Sequence, residues 1–166
     1  MKNILLVSVF STLLLAVSCN SASSKKQDST GIQTSVAEIN TPGKPLHISK
    51  TDFIDKIYDY EKSPKTWVYK GDKPCIIDFY ADWCGPCKKI APVLEDLSQK
   101  YSGKINVYKV NVDQERELAG FFGIQSIPTV LYCPMKGQPQ ITQGALPAET
   151  FEKIVKEFLL AQTASK

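Results

Sequence analysis

Residues 75–88 read Cys75-Ile76-Ile77-Asp78-Phe79-Tyr80-Ala81-Asp82-Trp83-Cys84-Gly85-Pro86-Cys87-Lys88. The first seven form a nearly continuous apolar run, the pattern of a strand covered on both faces, as parallel strands between helices are. Then the period changes. Ile90, Val93, Leu94 and Leu97 recur at three- and four-residue steps from a start near Cys84, which predicts a helix. Cys84 and Cys87 therefore stand three apart at a helix start, on one face and within about 5–6 Å, a separation that permits a disulfide. Gly85 and Pro86 suit the first turn, where a missing backbone N–H costs little, and proline stiffens the link between the sulfurs.

A thiolate at Cys84 would face unpaired N–H groups and the positive end of the helix dipole, both of which favour the charged form. Cys87, one turn deeper, is expected to be less exposed. The roles separate accordingly: Cys84 attacks a disulfide and Cys87 resolves the mixed disulfide. Other uses of such a pair fit poorly. Zinc wants four ligands, but there is no second Cys-x-x-Cys and the one histidine, His47, is remote in sequence. Haem attachment needs histidine after the second cysteine, where Lys88 stands. Neither a metal nor a cofactor is expected.

Ahead of this core, Met1-Lys2-Asn3 and the short apolar run 4–17 read as a signal peptide over 1–18, too short to span a bilayer comfortably. Ala16 and Ser18 suit an ordinary signal peptidase. Cys19, directly after them, also resembles the first residue of a bacterial lipoprotein, although Ala16 stands where that motif usually has leucine. Both cuts fall after Ser18, and either sends the chain out of the cytoplasm, to the periplasm, in soluble form or held to a membrane by a lipid on Cys19. Residues 19–44 are rich in Ser, Thr, Lys and Gln and read as a flexible tether.

The folded domain is expected over 45–162, with a disordered tail at 163–166. A short strand near Leu46 leads to Ser49-Lys50-Thr51-Asp52, a capping-box-like start for a helix that fades at Tyr60. Residues 61–73, with a lone Trp67, read as a loop folding over the domain's edge, more a solvated insertion than a partner contact. Residues 105–112 form a second buried strand, 115–122 a short helix closed by Gly123, and 129–133 and 140–143 two antiparallel strands. Pro147 opens a last helix with Phe151, Ile154, Val155, Phe158 and Leu159 on one stripe. The order is β-α-β-α-β-α-β-β-α: an α/β fold with a mixed five-stranded sheet and helices on both faces. A net charge of +3 with scattered lysines gives no basic stripe, so no nucleic-acid partner is expected.

The run from Asp78 to Lys88, followed by Ala91-Pro92, Asn111-Val112-Asp113, Gly123-Ile124, Ile127-Pro128-Thr129 and Gly144, closely resembles thioredoxin over about residues 46–160. Thioredoxin is itself a standard instance of a thiol acidified at a helix start. The resemblance implies a thioredoxin fold, with Asp78 as a buried proton acceptor for Cys87 and Lys109 as the lysine that tunes it. Burial would raise the acid's pKa and a nearby ammonium would lower it, so the two compete. Ile127-Pro128 is similar to the family's cis-proline turn, where the backbone of the preceding residue binds an extended partner segment. Trp83, Gly85, Pro86, Gly144 and Ala145 would complete the apolar contact surface. Tyr80 departs from the tryptophan common in the family.

If the strands pair as in thioredoxin, Cys75 and Cys133 come near one another, which opens the question of a second disulfide. The implied partners are disulfides or dithiols of exported proteins. Gly-Pro between the cysteines goes, in the family, with a strongly reducing potential and so with a protein-disulfide reductase. Outside the cytoplasm that role requires a membrane electron-transfer protein. A dithiol oxidase or disulfide isomerase in the same compartment is the alternative, and a redox-inert docking module is the reading from another class.

Overall fold

The computed structural model describes residues 43–161. The signal-peptide reading, Cys19 and its lipidation, the tether up to residue 42 and the tail at 163–166 lie outside them. The elements are β1 (Leu46–His47), α1 (Lys50–Lys56), β2 (Cys75–Tyr80), α2 (Gly85–Lys100), β3 (Asn106–Asn111), α3 (Arg116–Phe121), β4 (Thr129–Cys133), β5 (Gln140–Gln143) and α4 (Ala148–Ile154), which continues as one wider π-helical stretch over Val155–Leu159.

The sheet order is β1-β3-β2-β4-β5. β1 and β2 run parallel to β3, whereas β4 pairs antiparallel with β2 and with β5. The chain steps from β1 past β3 to β2, then back from β2 to β3. Right-handed crossovers in opposite directions must place their helices on opposite faces, and the packing agrees. Phe53, Ile57 and Leu118, from α1 and α3 and their ends, pack with Ile77, Phe79, Val110 and Leu131. Ile90, Leu94 and Leu97 of α2, with Phe151, Val155 and Leu159, cover Ile76, Val107, Val130 and Tyr132. All six residues of β2 are buried, and each large apolar side chain so covered contributes about 1.5–3 kcal/mol. The reversal of direction leaves a crevice at the carboxyl ends of β2 and β3, where open α/β sheets hold their sites.

Ser49 caps α1 in a full capping box with Asp52, as its sequence predicts, but the helix ends at Lys56 rather than fading at Tyr60. The carbonyl of Ile57 is taken by the N–H of Lys70 at 2.9 Å, so the following loop ends the helix. That loop is exposed along most of its length, as expected of a solvated insertion, but its aromatic rings anchor it to the domain. Trp67 is half-buried, with its ring 4.5 Å from that of Tyr58 and stacked on Tyr69 at 6.3 Å. Tyr60 stacks on Phe121 at 4.1 Å. Residues 61–73 thereby extend the core beneath α1 and α3 with aromatic area that sequence spacing did not disclose. Gly123, at φ +61°, closes α3 in the left-handed conformation that glycine adopts without strain.

Candidate active site

β2 ends at Tyr80, and the chain turns through Ala81 to Cys84, which caps α2. Cys84 and Cys87 are joined by a disulfide, with S–S 2.03 Å and Cα–Cα 5.3 Å. The N–H of Cys87 donates to Cys84 Sγ at 3.1 Å. A sulfur at this position thus receives one of the N–H groups that the first helical turn leaves unpaired, the feature that favours a thiolate once the disulfide opens. The expected difference in exposure between the two cysteines is absent: both are 3% exposed. The closed disulfide holds Cys84 Sγ against the helix end, and both sulfurs pack into one small cluster with Tyr80, Ala81, Val112 and Ile127.

What reaches solvent is the rim. Trp83 is 70% exposed, and Gly85 and Pro86 are exposed beside it. The Trp83 indole N–H donates to Asp113 Oδ2 at 2.8 Å, which ties the β2–α2 turn to the segment after β3. Asn111 reinforces the link, donating to Asp82 Oδ2 at 3.3 Å and accepting from the N–H of Asp113 at 3.0 Å. Across the crevice the Ile127–Pro128 peptide is cis, and the carbonyl of Pro128 accepts from the N–H of Gly144 at 2.8 Å. Gly144 has φ +85°, a conformation that would strain a side chain. Ala145 follows it, exposed.

Asp78 is 1% exposed on β2, so the solvated-face alternative does not apply. Burial pushes its carboxyl up to about 7, against an opposing pull from Lys109. Lys109 is its direct neighbour in the parallel register. The two also line one cavity of about 180 Å3 with Ala91, Leu94, Glu95 and His47 among its walls. Ala91 lies one turn along α2 from Cys87, which places the acid at the foot of the helix that carries the resolving sulfur. A carboxyl that exchanges its proton near neutral pH, on the strand behind the helix that carries such a sulfur, can serve as acceptor when that thiol must ionise.

Three contributors escape the sequence reading. Asp113 stands there only as part of a motif; its side chain holds Trp83. His47, remote in sequence, reaches the hydroxyl of Tyr80. Glu95 joins the cavity of Asp78 because it falls one turn after Ala91, a spacing that a helical wheel shows. Cys75 and Cys133 do come together, directly opposed across β2 and β4, but both are free thiols and no bridge joins them.

The comparisons agree with this geometry. The thioredoxin family model matches residues 57–157. A thioredoxin of Borreliella burgdorferi is 45% identical over 113 residues, covering 68% of this chain and 96% of that protein. One from Haemophilus influenzae is 38% identical over 115 residues, covering 69% and 96%. Among solved structures, a chloroplastic thioredoxin z superposes with TM-score 0.56 at 29% identity, covering 69% of this chain and 93% of that one. A mutant thioredoxin from Halobacterium salinarum does so with TM-score 0.57 at 26% identity, covering 72% and 94%. With a redox-ready cysteine pair at a helix start, a buried acid below it and relatives matched over nearly their whole length, the chain belongs to the thioredoxin family of disulfide oxidoreductases.

Proposed function

We propose that this oxidoreductase works outside the cytoplasm, reducing disulfides of exported proteins. The observation that carries the reading is the disulfide at the start of α2 with buried Asp78 on the strand behind that helix. In the reduced protein the Cys84 thiolate attacks one sulfur of a substrate disulfide. A Cys84–substrate bond forms and the other substrate sulfur leaves as a thiolate. Cys87 then gives its proton to Asp78 and attacks Cys84 Sγ, releasing the second substrate sulfur. The substrate gains two electrons, and Cys84–Cys87 closes as the disulfide. The exposed faces of Trp83, Gly85 and Pro86, with the backbone at Ile127–Pro128 and the turn at Gly144 and Ala145, form the docking surface for an extended segment. Each cycle ends oxidised, so a membrane electron-transfer protein must restore the dithiol. The leader at 1–18 and Cys19 support export, with Cys19 as the lipid-bearing tether point.

Thiol trapping in intact cells tests direction. Cys84 and Cys87 found mostly reduced support electron donation. A pair found mostly oxidised, and reduced only when the electron-supplying membrane protein is overproduced, moves the assignment to a dithiol oxidase. Insulin-disulfide reduction in the presence of dithiothreitol tests the chemistry itself: absence of turnover would remove both catalytic readings. Mass spectrometry of the mature N-terminus tests lipidation, and an unmodified Cys19 would leave the protein soluble in its compartment.

A further inference from the structure

The parallel register sets Lys109 of β3 directly beside Asp78 of β2, an arrangement that would ordinarily close an ion pair. None closes. The Lys109 ammonium instead lies over the ring of Tyr80, 4.4 Å from its centroid, and Asp78 Oδ1 is buried without a hydrogen-bond partner. Tyr80 follows Asp78 by two residues, so both project from the same face of β2. The ring is fixed in turn. Tyr80 is 9% exposed, its hydroxyl lies 3.1 Å from His47 Nδ1, and the imidazole meets the phenol ring edge-on at 5.7 Å. β1 sets His47 beside Lys109 in the same sheet. An ammonium over an aromatic face is attracted by the ring quadrupole, more strongly where water is scarce.

We propose that Tyr80 is a positioning residue for the resolving step: its ring, braced by His47, holds the Lys109 ammonium off Asp78 and leaves that carboxyl unpaired to accept a proton. The inference rests on Asp78 acting as acceptor in the function proposed above. It gives Tyr80 a role that packing alone would not, since an ammonium released from the ring has the buried carboxylate of Asp78 as its register neighbour. Pairing there would favour the ionised acid and remove its capacity to take the Cys87 proton near neutral pH.

The groups facing Asp78 are Lys109 from β3, His47 from β1, Lys44 ahead of it and Glu95 from α2. Asp78 in turn acts on Tyr132 of β4, but burial is the larger influence and holds that phenol up at about 12, so it stays neutral through the physiological range. Cys87, one turn before Ala91, is silent while the disulfide is closed. The test is therefore the titration of the Asp78 carboxyl, followed by carbon-13 NMR in the oxidised protein. Tyr80→Leu should lower the midpoint by about one pH unit, equivalent to about a tenfold change in the proton equilibrium, and should move the pH profile of mixed-disulfide resolution the same way. Tyr80→Phe, which keeps the ring, should retain most of the wild-type midpoint. In a Lys109→Met background Tyr80→Leu should have no further effect.

A midpoint that stays put in folded Tyr80→Leu, or one that falls equally without Lys109, overturns the proposal. If Tyr80→Leu does not fold, the ε-methylene protons of Lys109 decide: an upfield ring-current shift in wild type and Tyr80→Phe supports it, and ordinary positions overturn it. Failure of the underlying function is read separately, as absence of insulin reduction by the wild-type protein.

Discussion

Cys75 and Cys133 face one another across β2 and β4 as two free thiols with no exposed surface. Burial, then the neighbouring Cys75, pushes the Cys133 thiol well above its ordinary pKa, so almost none of it is present as the reactive thiolate. The pair behaves as small apolar filling for the face under α1. Native protein treated with maleimide should take up no label at either position, and unfolding without reductant should add two labels. A domain that gains none on unfolding carries the bridge instead. Cys133→Ser, which buries a hydroxyl in place of a thiol, should cost about 1–3 kcal/mol in urea unfolding.

The loop at 61–73 gives a second expectation. Trp67 is half-buried against Tyr58 and Tyr69 rather than free in solvent. Trp67→Ala should therefore destabilise the domain by about 2–3 kcal/mol, somewhat less than the ~3–5 kcal/mol of a fully buried aromatic. Insulin reduction by the folded variant should be unchanged, because the ring packs on Tyr58 and Tyr69 and lies outside the cluster around Cys84. An unchanged midpoint in chemical denaturation would mean that the loop does not hold the core.

The parts legible in the sequence were those fixed by local chemistry. The apolar run of β2, the change of period at Cys84 and the capping box at Ser49 each depend on residues within a turn or two, and each places the start of its element to within one or two residues. Asp78 could be read because the apolar run around it marks a strand covered on both faces, where no side chain reaches water, and because the resemblance to thioredoxin marks that position as the buried acid. The aromatic loop, the brace from His47 to Tyr80 and the bond from Trp83 to Asp113 could not. They join segments about 30 residues apart in sequence or more or depend on rotamers within an irregular loop, which spacing does not encode. The equal burial of Cys84 and Cys87 belongs to the closed disulfide, which pattern reading treats as two separate side chains.

The bond from the Trp83 indole to Asp113 at 2.8 Å predicts a binding effect. It holds a ring that is 70% exposed, so its loss should barely alter stability while freeing the indole to leave the docking surface. A hydrogen bond of this kind contributes about 0.5–1.5 kcal/mol. Asp113→Ala should accordingly raise KM for a protein disulfide about two- to tenfold, with kcat nearly unchanged. A fall in kcat at constant KM would instead place Asp113 in the chemical steps.

Asp78 sets the pH dependence of the fold itself. Its carboxyl is raised from 3.8 to about 7, first by burial, with Lys109 opposing. Between those values the folded protein retains a proton that the unfolded chain has lost, so the unfolded state binds fewer protons and stability falls as pH rises. The loss begins above about pH 4 and is complete a little above pH 7. At about 1.36 kcal/mol for each pH unit, it amounts to about 4 kcal/mol. Asp78→Asn, which is neutral throughout, should unfold with nearly the wild-type free energy at about pH 4 and should exceed wild type by several kcal/mol at about pH 8. The same variant should resolve mixed disulfides slowly at neutral pH, since Cys87 then lacks an acceptor, and should recover as hydroxide takes over at higher pH. Parallel urea curves at both pH values, with no widening of the gap, would show that the carboxyl titrates as an ordinary exposed acid. A resolving step unaffected by the substitution would show that Cys87 gives its proton elsewhere.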